Sequence, residues 1–295
     1  MSFRSGFISI IGRPNVGKST LLNAVIGEKI TIVSAKAQTT RNRIRGVKHL
    51  PHAQIIFVDT PGIHRRSGTL NVFMVREALS AMTDVDGVIF MVDASAPVTD
   101  DDAFILGRLK KAGPPVVLVP NKIDRVEKPA LLPLIERYGA LFPFREVVPV
   151  SALKGDGVEE LVEVLVELLP EGPRYFPEDM TTDQPERFLA AEIVREKVFA
   201  FTHQEVPYSV AVVTESFSED PERGLISIEA VINVERDSQK GIIIGRKGEM
   251  LKRIGTAARR ELEGLLGAKV FLRLFVRVTK DWTRNVRALR EFGYE

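Results

Sequence analysis

The sequence predicts a doubly wound, mostly parallel α/β domain followed by a smaller α+β domain, and three observations carry that expectation. Up to about Pro170, short and almost continuously apolar runs alternate with helical stretches. Strands apolar on both sides and spaced by helices make a parallel sheet covered on both faces. A glycine-containing loop, Gly12 to Ser19, joins the first such run to the first helical stretch, the strand–loop–helix setting of a phosphate-binding loop. Beyond a proline-rich break the order becomes helix, strand, strand, helix, helix, strand, with a short terminal helix.

In the first domain the strands are expected at Phe7–Ile11, Gln54–Val58, Gly87–Val92, Pro115–Val119 and Glu146–Val150, with Val158–Leu169 as the last helix. Ser34 to Arg45 is polar and aperiodic, a loop. From Pro170 to Arg187 there are four prolines and no periodicity, which predicts a semi-rigid linker. The domains are accordingly placed at 1–172 and 187–295, with 173–186 between them. The second domain opens on a helix with Leu189, Ile193, Val194, Val198 and Phe201 inward. Strands follow at Tyr208–Val213 and where Ile226, Ile228, Ala230, Ile232 and Val234 alternate. Ile242–Ile244 is expected to be an apolar strand end before a helix over Glu249–Leu266 with Leu251, Ile254, Ala258, Leu262 and Leu265 on one face. Val270, Leu272, Leu274, Val276 and Val278 mark a last strand, and Trp282 and Leu289 the terminal helix. His203 and Trp282 are expected to be packing residues.

Two domains suit 295 residues, and 44% apolar with 27% charged residues is ordinary globular composition. The absence of cysteine excludes disulfides and thiolate metal sites. No apolar run reaches the roughly 18 residues of a membrane span, and the first strand begins too early for a signal peptide, so a cytoplasmic protein is expected. The net charge of +2 hides a segregation. Tyr175–Glu235 holds 4 Lys/Arg against 13 Asp/Glu, whereas Arg236–Arg290 holds 15 against 5. A concentrated basic surface in one subdomain is the footprint of nucleic acid or, less often, of an anionic membrane.

Gly12-Arg-Pro-Asn-Val-Gly17-Lys18-Ser19 matches the loop whose backbone N–H groups turn in on phosphates, with the Lys on the outer two and the hydroxyl on Mg²⁺. Asn121-Lys122-Ile-Asp124 supplies base identity. The Asp124 carboxylate can accept from guanine N1–H and the 2-amino group together, whereas adenine would leave the charge unpaired. Asp59-Thr-Pro-Gly62 follows a strand, as a carboxylate serving Mg²⁺ through water should, and Gly62 can swing its N–H toward a γ-phosphate. Thr39-Thr40-Arg41 lies in the polar loop; Thr40 is the favoured candidate for completing the Mg²⁺ shell, with Thr39 the alternative. Ser151-Ala152-Leu153 would offer the Ala152 N–H to guanine O6, and the Lys122 stem would cover one face of the base. Val16 and Thr20 complete the candidate nucleotide set. Lys18, Thr40, Gly62 and Asn15 are the candidate catalytic groups. Ile63 occupies the position where related switches carry a water-orienting Gln, so intrinsic hydrolysis should be slow. The Asn15 amide could hold a monovalent cation, K⁺, beside the β,γ-bridge, or it could bond its own loop.

Gly245-Arg246-Lys247-Gly248 is a G-x-x-G loop before a helix, the arrangement by which a KH module clamps about four unpaired nucleotides. Two glycines allow close approach of a nucleic-acid backbone, and the two cations between them meet phosphates. Ile244, Lys252 and Arg253 join these four as candidate RNA-binding residues.

With Gly12–Ser19, Thr39–Arg41, Asp59–Gly62, Asn121–Asp124, Ser151–Leu153 and Gly245–Gly248 in place, the whole chain resembles the Era family of bacterial GTPases, within the TrmE-Era-EngA-like group. That resemblance implies a P-loop GTPase domain joined to a type II KH domain, with GTP/GDP and Mg²⁺ as cofactors. It further implies binding to the 3′ end of small-subunit rRNA, assistance to 30S subunit assembly, a monomer, and some peripheral association with the inner membrane. Two other classes stay open: an RNA-binding module gated by GTP with negligible turnover, and a GTPase switch acting at the membrane.

Overall fold

A computed structural model describes residues 2–34, 36, 39–63 and 68–294. It divides into two compact units, one of Met1–Thr31, Thr40–Ser67 and Asn71–Asp183, the other of Ile32–Thr39, Gly68–Leu70 and Gln184–Glu295.

The first unit is built on strands β1 (Arg4–Ile11), β2 (Ile44–Leu50), β3 (Ala53–Asp59), β4 (Gly87–Asp93), β5 (Val116–Asn121) and β6 (Glu146–Val147). Their order is β2-β3-β1-β4-β5-β6, parallel throughout except for β2, which runs antiparallel to β3. Helices α1 (Lys18–Ile26) and α5 (Val158–Leu168) bury Leu21, Leu22, Leu161 and Leu165 against Ile8, Ile10, Ile55 and Phe57 on one face. Helices α2 (Thr69–Ser80), α3 (Asp100–Ala112) and α4 (Lys128–Leu141) pack Ala78, Ile105, Leu109 and Tyr138 near Phe90 and Leu118 on the other. Two-sided burial explains why β3 and β5 carry no exposed position. Two expectations need correction here. The polar, aperiodic loop ends where β2 begins, a strand not anticipated, because its buried Ile44 and Val47 do not alternate and are interrupted by the exposed Arg45. The Glu146–Val150 strand is only two residues long; beyond it Val150 makes an isolated bridge to Asn121.

The proline-rich stretch is not a spacer over most of its length. Gly172 N–H donates to the Phe3 carbonyl (3.1 Å), Tyr175 N–H to Gln54 Oε1 (2.7 Å) and Val47 N–H to the Thr181 carbonyl (2.8 Å). Prolines lack an N–H, so residues between them make these bonds, and 170–183 becomes a strap along the first unit.

The second unit is α6 (Glu186–Phe201), β7 (Ala211–Asp220), β8 (Leu225–Val234), α7 (Asp237–Ile244), α8 (Glu249–Leu266), β9 (Lys269–Val278) and α9 (Val286–Glu291). β7 pairs antiparallel and β9 parallel with the central β8. Val194 and Val198 of α6, Ile243 of α7 and Ile254, Ala258 and Leu262 of α8 bury the inner side chains Ile228, Ala230 and Ile232. The expected strand end at Ile242–Ile244 is instead the last turn of α7. Gln239 Oε1 accepts from the backbone N–H groups of Glu235 and Arg236, starting a helix, and three consecutive isoleucines then turn to different sides with only Ile243 buried. Trp282 is fully buried and donates from Nε1 to the Ser209 carbonyl (2.9 Å), whereas His203, also expected to pack, is exposed.

Candidate nucleotide site and nucleic-acid cleft

The carboxyl ends of β1, β3 and β5 place the predicted nucleotide residues on one rim. Gly17 has φ +107° and an added Cβ would lie 2.2 Å from Asn121 Nδ2, so both conformation and proximity require glycine at the turn into α1. Lys18 is buried, its ammonium donating to the carbonyls of Gly12 (3.2 Å) and Arg13 (2.9 Å). Burial lowers its pKa to about 8 against the opposing pull of Asp59.

Ser19 Oγ, Thr40 Oγ1 and Asp59 Oδ2 form a cluster of oxygens. Ser19 Oγ lies 2.8 Å from each of the other two, and Thr40 Oγ1 is 3.4 Å from Asp59 Oδ2. Asp59 is fully buried, its Oδ1 has no hydrogen-bond partner among the described residues, and burial raises its pKa despite Lys18, Ser19 and Thr40. A buried carboxylate with a free oxygen, beside two hydroxyls, is a hard donor set that fits Mg²⁺. Thr39 turns away: its hydroxyl donates to the Lys36 carbonyl (2.7 Å).

Gly62 lies so close to the phosphate loop that an added Cβ would meet Pro14 at 2.6 Å, and Ile63 N–H donates to the Gly12 carbonyl (3.2 Å). The Ile63 side chain is completely buried in the core. The Asn15 side chain is exposed, with no bond to its own loop among the described residues; its carbonyl accepts from Lys122 Nζ (2.7 Å). Val16 is buried, with its carbonyl accepting from Asn121 Nδ2 (2.7 Å), and Thr20 lies half-buried in the first turn of α1.

At the base-binding end, Asn121 ties two loops together, since its Oδ1 also accepts from the Ala152 N–H (2.9 Å). That N–H, expected to be free for guanine O6, is thus engaged by Asn121. Ser151 Oγ donates to Asp124 Oδ1 (2.6 Å), which is the leading reason the Asp124 carboxyl sits below its ordinary pKa. Leu153 is 70% exposed beside it.

Sequence reasoning missed two supporting residues. Asp93, at the end of β4, bonds Lys122 Nζ (2.6 Å) and Ser95 Oγ (2.6 Å), fixing the lysine of the Asn121–Asp124 loop. Asp102 is fully buried at the start of α3: Oδ1 accepts from Arg13 Nε (2.9 Å), while Oδ2 accepts from the Thr99 N–H and hydroxyl (both 2.9 Å). The Thr99-x-x-Asp102 capping pattern was the available signal for the second.

In the second unit, Ile244 closes α7, Gly245 has φ +72°, Arg246–Gly248 form a 3₁₀ turn, and α8 follows at once. Beside this turn is a cleft of about 400 Å³ lined by Gly248, Leu251, Lys252, Thr256 and Arg259 of the helix side and Leu272 and Leu274 of β9. Thr256 and Arg259 were missed, although positions 248, 252, 256 and 259 recur at helical spacing. Arg253 does not line the cleft; its guanidinium lies over the Phe201 ring, 4.2 Å from the centroid.

The family model described as "50S ribosome-binding GTPase" matches residues 7–122, and the KH domain model matches 205–283. GTPase Era of Geotalea uraniireducens is 63% identical over 293 residues, covering 99% of this chain and 98% of the relative. The chain belongs to the Era family of GTPases. GTPase Era of Trichlorobacter lovleyi is 53% identical over 295 residues, covering all of this chain and 99% of that one. Two crystal structures of Era match at a TM-score of 0.96 and 45% identity, covering 99% of both chains. One is Era in complex with MgGDPNP and nucleotides 1506–1542 of 16S ribosomal RNA; the other is an Aquifex aeolicus Era variant bound to GDP and aluminium fluoride. As an Era-family GTPase, the chain binds GTP and hydrolyses it to GDP and phosphate at a Mg²⁺-dependent site.

Proposed function

We propose that this Era-family GTPase binds the 3′ end of small-subunit rRNA through the cleft beside Gly245–Gly248 and assists assembly of the 30S subunit in the cytoplasm. The observation that carries this reading is the pairing, in one chain, of the Ser19–Thr40–Asp59 oxygen cluster with a basic G-x-x-G cleft. The 16S segment bound by a relative at 45% identity supports the same partner.

Ser19 and Thr40 would hold Mg²⁺ directly and Asp59 through water. The ion supplies charge neutralisation at the β- and γ-phosphate oxygens. The N–H groups of Gly12–Ser19 and the Lys18 ammonium orient the phosphates, and Gly62 brings a backbone N–H toward the γ-phosphate. Asp124 would accept from guanine N1–H and the 2-amino group and the Lys122 stem would cover one face of the base, while Asn121 and Ser151 hold the Val16, Ala152 and Asp124 segments around it. Because Ile63 is buried in the core, its side chain takes no part in orienting water. The exposed Asn15 amide is the group available to hold K⁺ in its place. Ile244–Gly248 and Lys252 would contact RNA; Arg253, stacked on Phe201, supports the helix that carries them. The chain acts as a monomer of two domains, with the boundary at Asp183. The basic Arg284 and Arg290 near the terminal helix suit peripheral contact with anionic lipid at the inner membrane.

The deciding experiment is GTP hydrolysis with and without a 16S 3′-end segment. Turnover that rises with the RNA and is lost in Asp59→Asn supports the reading; turnover indifferent to RNA, with no measurable RNA binding, overturns it.

A further inference from the structure

β9 is an edge strand, and its two rows of side chains differ in kind. Val270, Leu272, Leu274, Val276 and Val278 turn toward the helices, with Leu272 and Leu274 forming one wall of the cleft. The opposite row reads Lys269, Phe271, Arg273, Phe275, Arg277: three cations and two aromatic rings in strict alternation. The rings are 51% and 45% exposed, although an apolar inner face was available one residue away. A one-residue register shift would bury them, so their outward placement is a fixed property of the strand.

Arg273 Nη1 rests 2.7 Å from Glu229, with its guanidinium carbon 5.5 Å from the Phe271 centroid, and Arg277 Nη1 rests 3.0 Å from Glu215. These are exposed ion pairs, which contribute little and exchange readily for a phosphate. Exposed rings interleaved with cations on an open sheet make a platform on which unpaired bases stack while their phosphates meet the cations. Phe271 and Phe275 stand roughly 13 Å apart, four residues at about 3.3 Å each, leaving room for Arg273 to stack between two bases.

A KH cleft seats only about four nucleotides. The 16S segment held by the Era relative runs over 1506–1542, far more than such a cleft holds. We propose that the outward face of β9 is a second RNA contact, on which unpaired nucleotides continuing from the cleft over the sheet edge stack on Phe271 and Phe275. Lys269, Arg273 and Arg277 meet their phosphates. This rests on the reading of the chain as an rRNA-binding protein, and the test separates the two.

The full chain, loaded with GDPNP at one fixed salt concentration, is titrated with the 1506–1542 RNA segment. The double variant Phe271→Ala/Phe275→Ala should weaken binding about tenfold for each stacked base lost. Arg273→Gln/Arg277→Gln, which keeps the rings, should lower the slope of log affinity against log salt by about 1.4. Wild-type affinity and salt slope in both variants, with Gly248→Asp weakening binding, overturn the second contact and leave the cleft reading intact. Failure of the wild-type chain to bind the segment at all overturns both. If the phenylalanine variant keeps RNA affinity but sediments as a smaller species than the wild type, the face belongs to a second copy of the chain and the proposal falls.

Discussion

The base-recognition role proposed for Asp124 gives two predictions. Asparagine there keeps one acceptor for guanine N1–H but turns an amide N–H₂ toward C2, which suits the carbonyl of xanthine. Asp124→Asn should lose GTP affinity by on the order of 100-fold or more and gain XTP, measured by titration with each nucleotide. Unchanged GTP affinity would remove Asp124 from the base site. The second prediction concerns pH. The Ser151 hydroxyl is the leading cause that holds the Asp124 carboxyl low. A depressed pKa keeps the carboxylate charged above it, so GTP binding persists on acidification and is lost only as pH falls through that lowered value. Ser151→Ala removes the donor and moves the loss to higher pH; titrations of GTP affinity downward from neutrality should show the displacement. At the same scale, Asp102→Ala would strand the guanidinium of Arg13 and uncap α3. We expect a destabilisation of about 3 kcal/mol, read as a lower urea midpoint at unchanged slope.

At the scale of elements, the sequence was most legible where one signal dominated. β1, β3, β4 and β5 are apolar on both sides, and the loops after β1, β3 and β5 carry recognisable motifs. Legibility failed where local chemistry and tertiary context compete. β2 is short and polar, with Ile44 and Val47 buried but Arg45 exposed between them, a pattern without alternation that a polar loop also shows. α7 was hidden because Ile242–Ile244 satisfies a strand end as well as a helix end, and Gln239 decides between them through bonds that no short motif announces. The strap over 170–183 was hidden because its partners lie over a hundred residues away. Gln54, buried in β3, accepts from the N–H groups of Tyr175 and Phe176 and donates to the Phe176 carbonyl (2.7, 3.1 and 2.8 Å). Gln54→Leu leaves two backbone donors unpaired and should cost about 2–3 kcal/mol while opening 173–180 to limited proteolysis. An unchanged digestion pattern would show that the strap holds without Gln54.

For the whole molecule, the question is whether nucleotide and RNA sense each other. The loop that ends in Thr40 is shared by the two units: Ile32–Thr39 clusters with the second, and Thr40 begins the next stretch of the first. Within the second unit, Val33 N–H donates to Glu196 Oε1 (2.9 Å), Lys36 Nζ to the carbonyls of Phe199 and Thr202, and Arg195 to the carbonyl of Thr39. If Thr40 ligates Mg²⁺ as proposed, a γ-phosphate that draws it onto the ion would pull on a residue whose neighbour Thr39 is held by Arg195 of α6. Coupling requires that this segment make different contacts in the two nucleotide states. RNA affinity should differ between GDP and GDPNP by a factor of about 5–150, and RNA must change GDPNP affinity relative to GDP by the same factor. Glu196→Ala, which frees the Val33 N–H but leaves every nucleotide and cleft residue in place, should bring that factor toward one while both ligands still bind. RNA dissociation constants that keep the wild-type ratio in this variant, at one salt concentration, would place the coupling somewhere other than the loop before Thr40.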